Sequence, residues 1–327
     1  MRTPVSDPLT LGPYRVVGRL ASGGMGWVYL GRSRSGRALA IKVVRPELAS
    51  DPEFRSRFAR EVEAARAVSG AFTAAVVDAD AEGDPPWLAT LYVPGPSLAE
   101  AVRADGPLTA SAVRTLAVGL VEALQAIHAA GVVHRDLKPG NVLLAGDGPR
   151  VIDFGISMLG GANPITRVGA VLGTPSFMSP EQLRGEPAGP ASDVFALGAV
   201  LVFAATGEPP FGSGAGVMYR ITEQRPVLDA VPAALRGLVG RCLAKAPADR
   251  PELGTLLDEL IGLRNSVQVW PPPGVAEDIR VRTDDLADRN HSRGPVLPVP
   301  SYLLLHAQAL LDAGLTDALV AEAAGRG

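Results

Sequence analysis

The sequence predicts an α+β chain in two parts: a small β-rich part with one helix, then a larger, mainly helical part. Three observations carry that prediction. Short β-type runs separated by Gly and Ser clusters fill residues 14–44 and return at 74–93. From Ser97 onward the apolar residues recur mostly at helical spacing. The 327 residues, 47% hydrophobic and 20% charged, can bury one large core or two medium ones, which excludes disorder as the main state.

The elements follow in order. Residues 1–13 read as a leader, with Pro4, Pro8 and Gly12 and no periodic pattern. No basic patch followed by an apolar run marks a signal peptide there. Residues 14–17, 27–30 and 38–44 predict strands. Residues 51–69 predict a helix: Asp51 can cap it, Pro52 suits its first position, and Phe54, Phe58, Val62 and Ala65 repeat at helical spacing. Strands resume at 74–78 and 87–93. Residues 109–130 predict a long helix ended by Gly131, and 142–144 and 150–152 are strand-sized. A Gly/Ser/Thr/Pro-rich loop spans 155–179, and loops that long in a folded domain are usually functional. Helices return at 191–206, 217–223, 232–243 and 253–264. Trp270-Pro271-Pro272-Pro273-Gly274 breaks any helix, so 265–300 reads as a Pro-rich and charged linker. Residues 301–327 predict a C-terminal helical tail whose Leu303, Leu304, Leu310, Leu311, Leu315 and Leu319 make an apolar stripe for packing or a partner.

Charge and cysteine usage narrow the function classes. A net charge of −3 gives no global positive field, so no nucleic-acid partner is expected. The longest apolar stretch, 195–206, falls short of the roughly 20 residues a membrane span needs, so no span is expected. The single Cys242 can form neither an internal disulfide nor a metal cluster, which fits a reducing compartment and a cytoplasmic location. Only three of the 31 basic residues are Lys: Lys42, Lys138 and Lys245. A GC-rich codon bias explains the excess of Arg, and under such a bias a surviving Lys more often than usual marks a place where Arg cannot serve.

Four segments carry chemistry. Ala21-Ser22-Gly23-Gly24-Met25-Gly26 lies between two strand-like runs, where Gly lets backbone N–H groups wrap phosphate oxygens. Alone, in a Gly-rich chain, such a run is more often an ordinary hairpin turn. Lys42, in Ala40-Ile41-Lys42-Val43, is a point charge that could face phosphates, with Glu61 on the next helix to hold it. The decisive run is His134-Arg135-Asp136-Leu137-Lys138-Pro139-Gly140-Asn141. Asp136 can accept or align a hydroxyl proton, Lys138 can neutralise a transferring group, and Asn141 offers oxygen to a hard cation. Such a run arises by chance roughly once in 10⁹ start positions at average composition. Asp153-Phe154-Gly155 then presents a second oxygen ligand, Asp153, at a strand end.

Together these segments resemble the eukaryotic-type (Hanks-type) serine/threonine protein kinases, and the GGMG wording is similar to their bacterial branch. The resemblance covers 14–264, with a small lobe at 14–93 and a large lobe at 94–264. It implies ATP and Mg²⁺, with Mn²⁺ as the alternative ion, bound in the cleft of a bilobal protein kinase fold. Lys42, paired with Glu61, would hold the α- and β-phosphates, and residues 21–26 would cover them. Asp136 would orient the substrate hydroxyl, Lys138 would contact the γ-phosphate, and Asn141 and Asp153 would bind the metal. Leu20, Val28, Ala40 and Leu143 would line the adenine slot, with Thr90 as gatekeeper and the hinge at Leu91, Tyr92 and Val93. Glu181 would pair with Arg250, and Asp193 would brace the catalytic loop.

Two departures from the family pattern stand out. Ala21 replaces the first glycine of the phosphate loop, and Leu91 replaces the usual acid after the gatekeeper; neither removes a catalytic group. Lys138 and Thr174 favour Ser/Thr acceptors, and the segment ending Ser179-Pro180-Glu181 favours protein substrates. Arg135 would read a phosphate on Thr166, with Thr174 and Ser176 as the other activation-loop hydroxyls. A second copy of the chain would place that phosphate in trans. The competing readings are a pseudokinase that binds a nucleotide or partner, and a small-molecule kinase. Lys245 has no such role and reads as a surface lysine.

Overall fold

Alternation along Ala38–Val44 (β4) organises the small lobe. Leu39, Ile41 and Val43 are buried on one face, while Ala40 and Lys42 face the other way. In this computed structural model residues 8–22, 26–68, 71–153, 175–263 and 270–291 are described. Around β4 lie Thr10–Leu11 (β1), Tyr14–Ser22 (β2), Gly26–Arg32 (β3), Val76–Asp80 (β5) and Trp87–Leu91 (β6). They form one antiparallel sheet in the order β1-β2-β3-β4-β6-β5. β3 and β4 pair without a slip, which sets Val28 opposite Lys42.

Pro46–Ala49 (α1) leads into Pro52–Ala67 (α2), where the Asp51 side chain accepts the Glu53 N–H at 2.9 Å. Phe58 and Val62 of α2 pack with Val44, Ala49 and Leu88 against the sheet, which turns Glu61 toward β4.

The large lobe follows: Leu98–Asp105 (α3), Ala110–Ala129 (α4), Val142–Ala145 (β7), Gly148–Val151 (β8), Pro180–Leu183 (α5), Pro190–Thr206 (α6), Val217–Glu223 (α7), Ala233–Cys242 (α8) and Leu253–Gly262 (α9). β7 and β8 form a hairpin beside α4. By length and composition α4 could cross a membrane, yet its Val113, Leu116, Leu120, Leu124 and Ile127 sit in the core that α6 and α9 share. This is the bilobal α+β architecture that the sequence predicts. Cys242 lies in that core, where burial pushes its thiol up to about 12, so it carries no thiolate chemistry.

Three readings change. The leader does not run unpaired to residue 13: Thr10 and Leu11 pair with Arg15 and Tyr14. The cause is a local cluster in which Leu11 is buried with Tyr14 and Trp87, whose rings meet edge to face at 5.8 Å. Lys245 is not a surface lysine. It donates to the Ile221 carbonyl at the end of α7 and lies 4.0 Å over the Phe211 ring. Burial, aided by nearby Arg250, lowers its pKa to about 8 against the pull of Glu223. Finally, the stretch expected as a linker contains a 19-residue helix, Pro273–His291 (α10), with its first proline at a position that needs no N–H. Val275 and Ile279 of α10 pack on the large lobe and Leu286 on the small one. The tail 301–327 lies outside the described residues.

Candidate active site

Between the lobes lies a cleft that opens to solvent. Its roof is Leu20 from β2, Val28 from β3 and Ala40 from β4, and its floor is Leu143 from β7. Thr90, Leu91, Tyr92 and Val93 close its rear, so all the residues expected to line an adenine slot meet in one cleft. Sequence reasoning missed Ala65, Val76, Val151 and Ile152 in the same wall, since apolar residues there look like ordinary core. In the hinge, the N–H groups of Leu91 and Tyr92 are committed to the carbonyls of Ala75 (2.9 Å) and Ala38 (3.2 Å).

The phosphate-loop expectation falls mostly outside the described residues, which exclude Gly23, Gly24 and Met25. Ala21 and Ser22 end β2, and Gly26 begins β3. A Cβ on Gly26 would lie 1.8 Å from the Val43 carbonyl oxygen, so the sheet itself requires glycine there.

At the inner end of the cleft, Lys42 Nζ stands 3.3 Å from Glu61 Oε1 and 3.4 Å from Asp153 Oδ1. Burial opposes its charge, but the carboxylates of Asp153 and Glu61 outweigh burial and hold its pKa above the ordinary value. Burial pushes the Glu61 carboxyl up, and Lys42 pulls the other way. Asp153 has φ +53° and Arg135 φ +66°, in the left-handed region that non-glycine residues seldom occupy. Such strain persists where surroundings over-determine it.

Those surroundings are visible at the catalytic loop. Asp193, fully buried near the start of α6, accepts the N–H groups of His134 (2.8 Å, Oδ2) and Arg135 (2.8 Å, Oδ1). His128, from the last turn of α4, approaches Oδ2 at 2.7 Å; a carboxylate only accepts, so this nitrogen carries the proton. The Asp136 N–H donates to His134 Nδ1 at 3.2 Å, which leaves the His134 proton on Nε2, facing the Ile152 carbonyl at 3.3 Å. Asp136 Oδ2 then receives Lys138 Nζ at 2.9 Å and Asn141 Nδ2 at 3.1 Å. Asn141 Nδ2 also reaches the Asp136 carbonyl at 2.8 Å. Both bonds use the amide nitrogen, so the Asn141 amide oxygen remains a hard-cation donor.

A second contact holds the Arg135 peptide from the other side. Gln182 Nε2 donates to the Arg135 carbonyl at 2.8 Å, while its Oε1 accepts from Ser179 N and Oγ, both at 3.0 Å. Ser179 and Gln182 form a capping box at the start of α5, a spacing visible in the sequence, although its long-range contact is not. Glu181 and Arg250 meet as expected from the motif, with Nη1–Oε1 2.6 Å and Nη2–Oε2 2.8 Å. Ser192 Oγ donates a further 2.7 Å bond to Glu181. Ser176 is 1% exposed, so its hydroxyl is closed to a modifying enzyme in this conformation. Phe154, Gly155, Thr166 and Thr174 lie outside the described residues.

Asp153 lies in the cleft wall beside Lys42, and Asn141 lies next to it through its carbonyl, which accepts the Ile152 N–H at 3.0 Å; both carry oxygen donors of the kind a divalent cation takes. Among the described residues no group of three or more His, Cys, Asp or Glu could hold a metal. A two-donor protein site suits Mg²⁺, which takes its remaining ligands from phosphate and water.

Comparison with known proteins gives a consistent picture. Residues 14–260 match the family model of the protein kinase domain. The chain is 53% identical over 273 residues to "Probable serine/threonine-protein kinase PkwA" of Thermomonospora curvata, covering 83% of this chain and 37% of that one. It is 54% identical over 257 residues to serine/threonine-protein kinase AfsK of Streptomyces coelicolor, covering 78% and 32%. The chain therefore spans about a third of the length of these relatives. Among solved structures, the Mycobacterium tuberculosis PknI kinase domain superposes with a TM-score of 0.63 at 29% identity, covering 79% of this chain and 99% of that one.

Proposed function

The chain belongs to the protein kinase domain family, and on that premise we propose that it is a serine/threonine protein kinase, using ATP and Mg²⁺ to phosphorylate hydroxyls of protein substrates. The observation that carries this reading is the setting of Asp136. Its carboxylate is pinned by Lys138 and Asn141, on a loop whose backbone is gripped by Asp193 and Gln182. Pre-positioning of this kind is what phosphoryl transfer asks of a protein, because the reaction needs placement and charge compensation more than covalent help.

In this reading the adenine ring lies between Leu20, Val28 and Ala40 above and Leu143 below, and the Val93 N–H serves as hinge donor. Lys42, held by Glu61, contacts the α- and β-phosphates. Asp136 aligns the acceptor hydroxyl and takes its proton as the new oxygen–phosphorus bond forms and the β–γ bridging bond breaks. Lys138 offsets charge on the transferred group. Asn141 and Asp153 would hold Mg²⁺, which would supply further charge neutralisation when bound. Autophosphorylation at Thr166 in trans, read by Arg135, is the switch we assign to the activation loop. A pseudokinase would need a lost group, whereas Lys42, Glu61, Asp136, Asn141 and Asp153 are all present.

The test is phosphoamino-acid analysis after incubation with γ-labelled ATP, Mg²⁺ and a generic basic protein. Phosphoserine and phosphothreonine are expected. Phosphotyrosine alone, or no label on either protein, would overturn the reading.

A further inference from the structure

We propose that α10 braces the nucleotide slot, and that Leu286 and Arg282 are positioning residues that set nucleotide affinity through the hinge and the roof of the cleft. The proposal rests on the kinase reading for the identity of the ligand. α10 begins beyond the matched segment 14–260.

One stripe of this helix makes the contacts. Val275, Ile279, Arg282 and Leu286 follow at steps of four, three and four, which places them on a single face. At its foot, Val275 is 1% exposed in the large-lobe core. Just before it, Trp270 Nε1 donates to the Ala145 carbonyl at 2.9 Å. The start of the helix is pressed onto α3, since a Cβ on Gly274 would lie 1.9 Å from Asp105 Oδ2. In the middle, Arg282 is 3% exposed. It pairs with Glu100 Oε2 at 3.6 Å and donates to the Gly95 carbonyl, just after the hinge, at 3.4 Å. The same Glu100 oxygen accepts the Ser97 N–H at 2.7 Å, so one carboxylate ties the start of α3 to α10. At the top, Leu286 packs on the small-lobe cluster of Val17, Leu20 and Leu30, and Arg32 of β3 donates to the Leu286 carbonyl. The opposite face is solvated, with Arg280 paired to Glu277 and Asp284.

The cluster that Leu286 joins contains Leu20, Val28, Ala40 and Tyr92, and all four also line the cleft. One set of side chains therefore has the nucleotide slot on one side and α10 on the other. Close-packed side chains transmit displacement, so losing Leu286 lets the roof and hinge relax away from the bound ring. A buried arginine is costly to desolvate, and its retention beside the hinge fits a register role. The reacting groups, Asp136, Lys138 and Asn141, lie outside this cluster, so the effect falls on nucleotide binding and spares the chemical step.

The test uses the full chain with Leu286→Ala, Leu286→Met, Arg282→Met and, as a control on the solvated face, Arg280→Ala. ADP affinity is measured by calorimetry, and kcat at saturating ATP with a basic protein substrate. Leu286→Ala is expected to weaken ADP binding about tenfold with kcat within about twofold of the parent, because a lost Leu contact shifts the docked balance by about that factor. Arg282→Met should weaken binding in the same direction, Leu286→Met should restore most of it, and Arg280→Ala should match the parent. Unchanged ADP affinity in Leu286→Ala and Arg282→Met overturns the proposal, even if their melting temperatures fall. If Leu286→Ala does not fold, Leu286→Met and Arg282→Met decide by the same affinity criterion. If the parent chain itself binds no ADP, the kinase reading fails, and nucleotide-free hydrogen exchange then judges the brace. Faster exchange at 17–32 and 91–96 in Leu286→Ala supports it, and unchanged exchange overturns it.

Discussion

Replacing Glu181 with Gln removes one charge from a pair that is almost wholly out of water, with side-chain exposures of 0% for Arg250 and 4% for Glu181. Burial works against the Glu181 carboxylate, but hydrogen bonds from Arg250 and Ser192 and the Arg250 charge win, and its pKa falls from 4.5 to about 2. At 1.36 kcal/mol per unit, that depression corresponds to about 3 kcal/mol of folding stability. The whole amount is present above pH 4.5, where the carboxyl is ionised in folded and unfolded chains alike. It drains away between pH 4.5 and 2, as the unfolded chain takes up the proton first, and is gone below both values. Gln182 and Ser192 neighbour the pair without titrating, so the window belongs to Glu181. Glu181→Gln is thus expected to lose about 3 kcal/mol at neutral pH, with Arg250 keeping the carbonyls of Ala191, Ala244 and Lys245 and the Phe195 ring but losing its counter-charge. Urea unfolding of parent and variant at pH 7, 4 and 3 measures the gap. A gap that narrows steadily as the pH drops is the expected result. A gap that stays constant from pH 7 to 3 would falsify the assignment of that stabilisation to the ionised pair.

Three further outcomes are expected. Lys42→Arg should reduce phosphotransfer at least about 100-fold with little change in melting temperature, because a planar guanidinium cannot occupy the 3.3 and 3.4 Å contacts of a compact ammonium; near-parental rates would refute the phosphate role of Lys42. Gln182→Glu should lower kcat about tenfold at neutral pH, since an ionised carboxylate cannot donate to the Arg135 carbonyl, and activity relative to the parent should recover at acid pH as it protonates; a pH-independent ratio would count against that role. Lys245→Met should cost about 1 kcal/mol, visible in chemical unfolding, through loss of the Ile221 carbonyl contact and the Phe211 ring contact; an unchanged midpoint would make both contacts dispensable.

What the sequence discloses and what it hides divide along the range of the interactions. The run His134–Asn141 is legible because its chemistry demands particular residues at fixed local spacing, whereas the hinge, which works through backbone groups, is placed by the family resemblance alone. Lys42 and Glu61 are legible because strand alternation and helical periodicity each fix which side faces the cleft. The contact from Gln182 to Arg135 joins residues 47 apart in the chain, and no local pattern announces it. His128 on Asp193 is hidden in the same way, at a separation of 65. α10 is hidden for a different reason. The prolines before it read as a helix breaker and its charged residues as a linker, while its inward stripe contains an arginine whose burial is made tolerable by partners such as Glu100 and the Gly95 carbonyl, which lie far away in the chain. β1 depends on Leu11 finding Tyr14 and Trp87, a tertiary event that a two-residue strand cannot signal.

The most direct test of the central claim compares the initial rate of phosphate transfer from γ-labelled ATP, with Mg²⁺, for the parent chain and Asp136→Asn at matched folded concentration. Asn keeps the shape of the side chain but loses the negative charge that receives Lys138 at 2.9 Å and would receive the acceptor proton. A parental rate that falls by about 10²–10⁴ in the variant is the predicted result. Equal rates in the two proteins, or no transfer by the parent, would contradict the account.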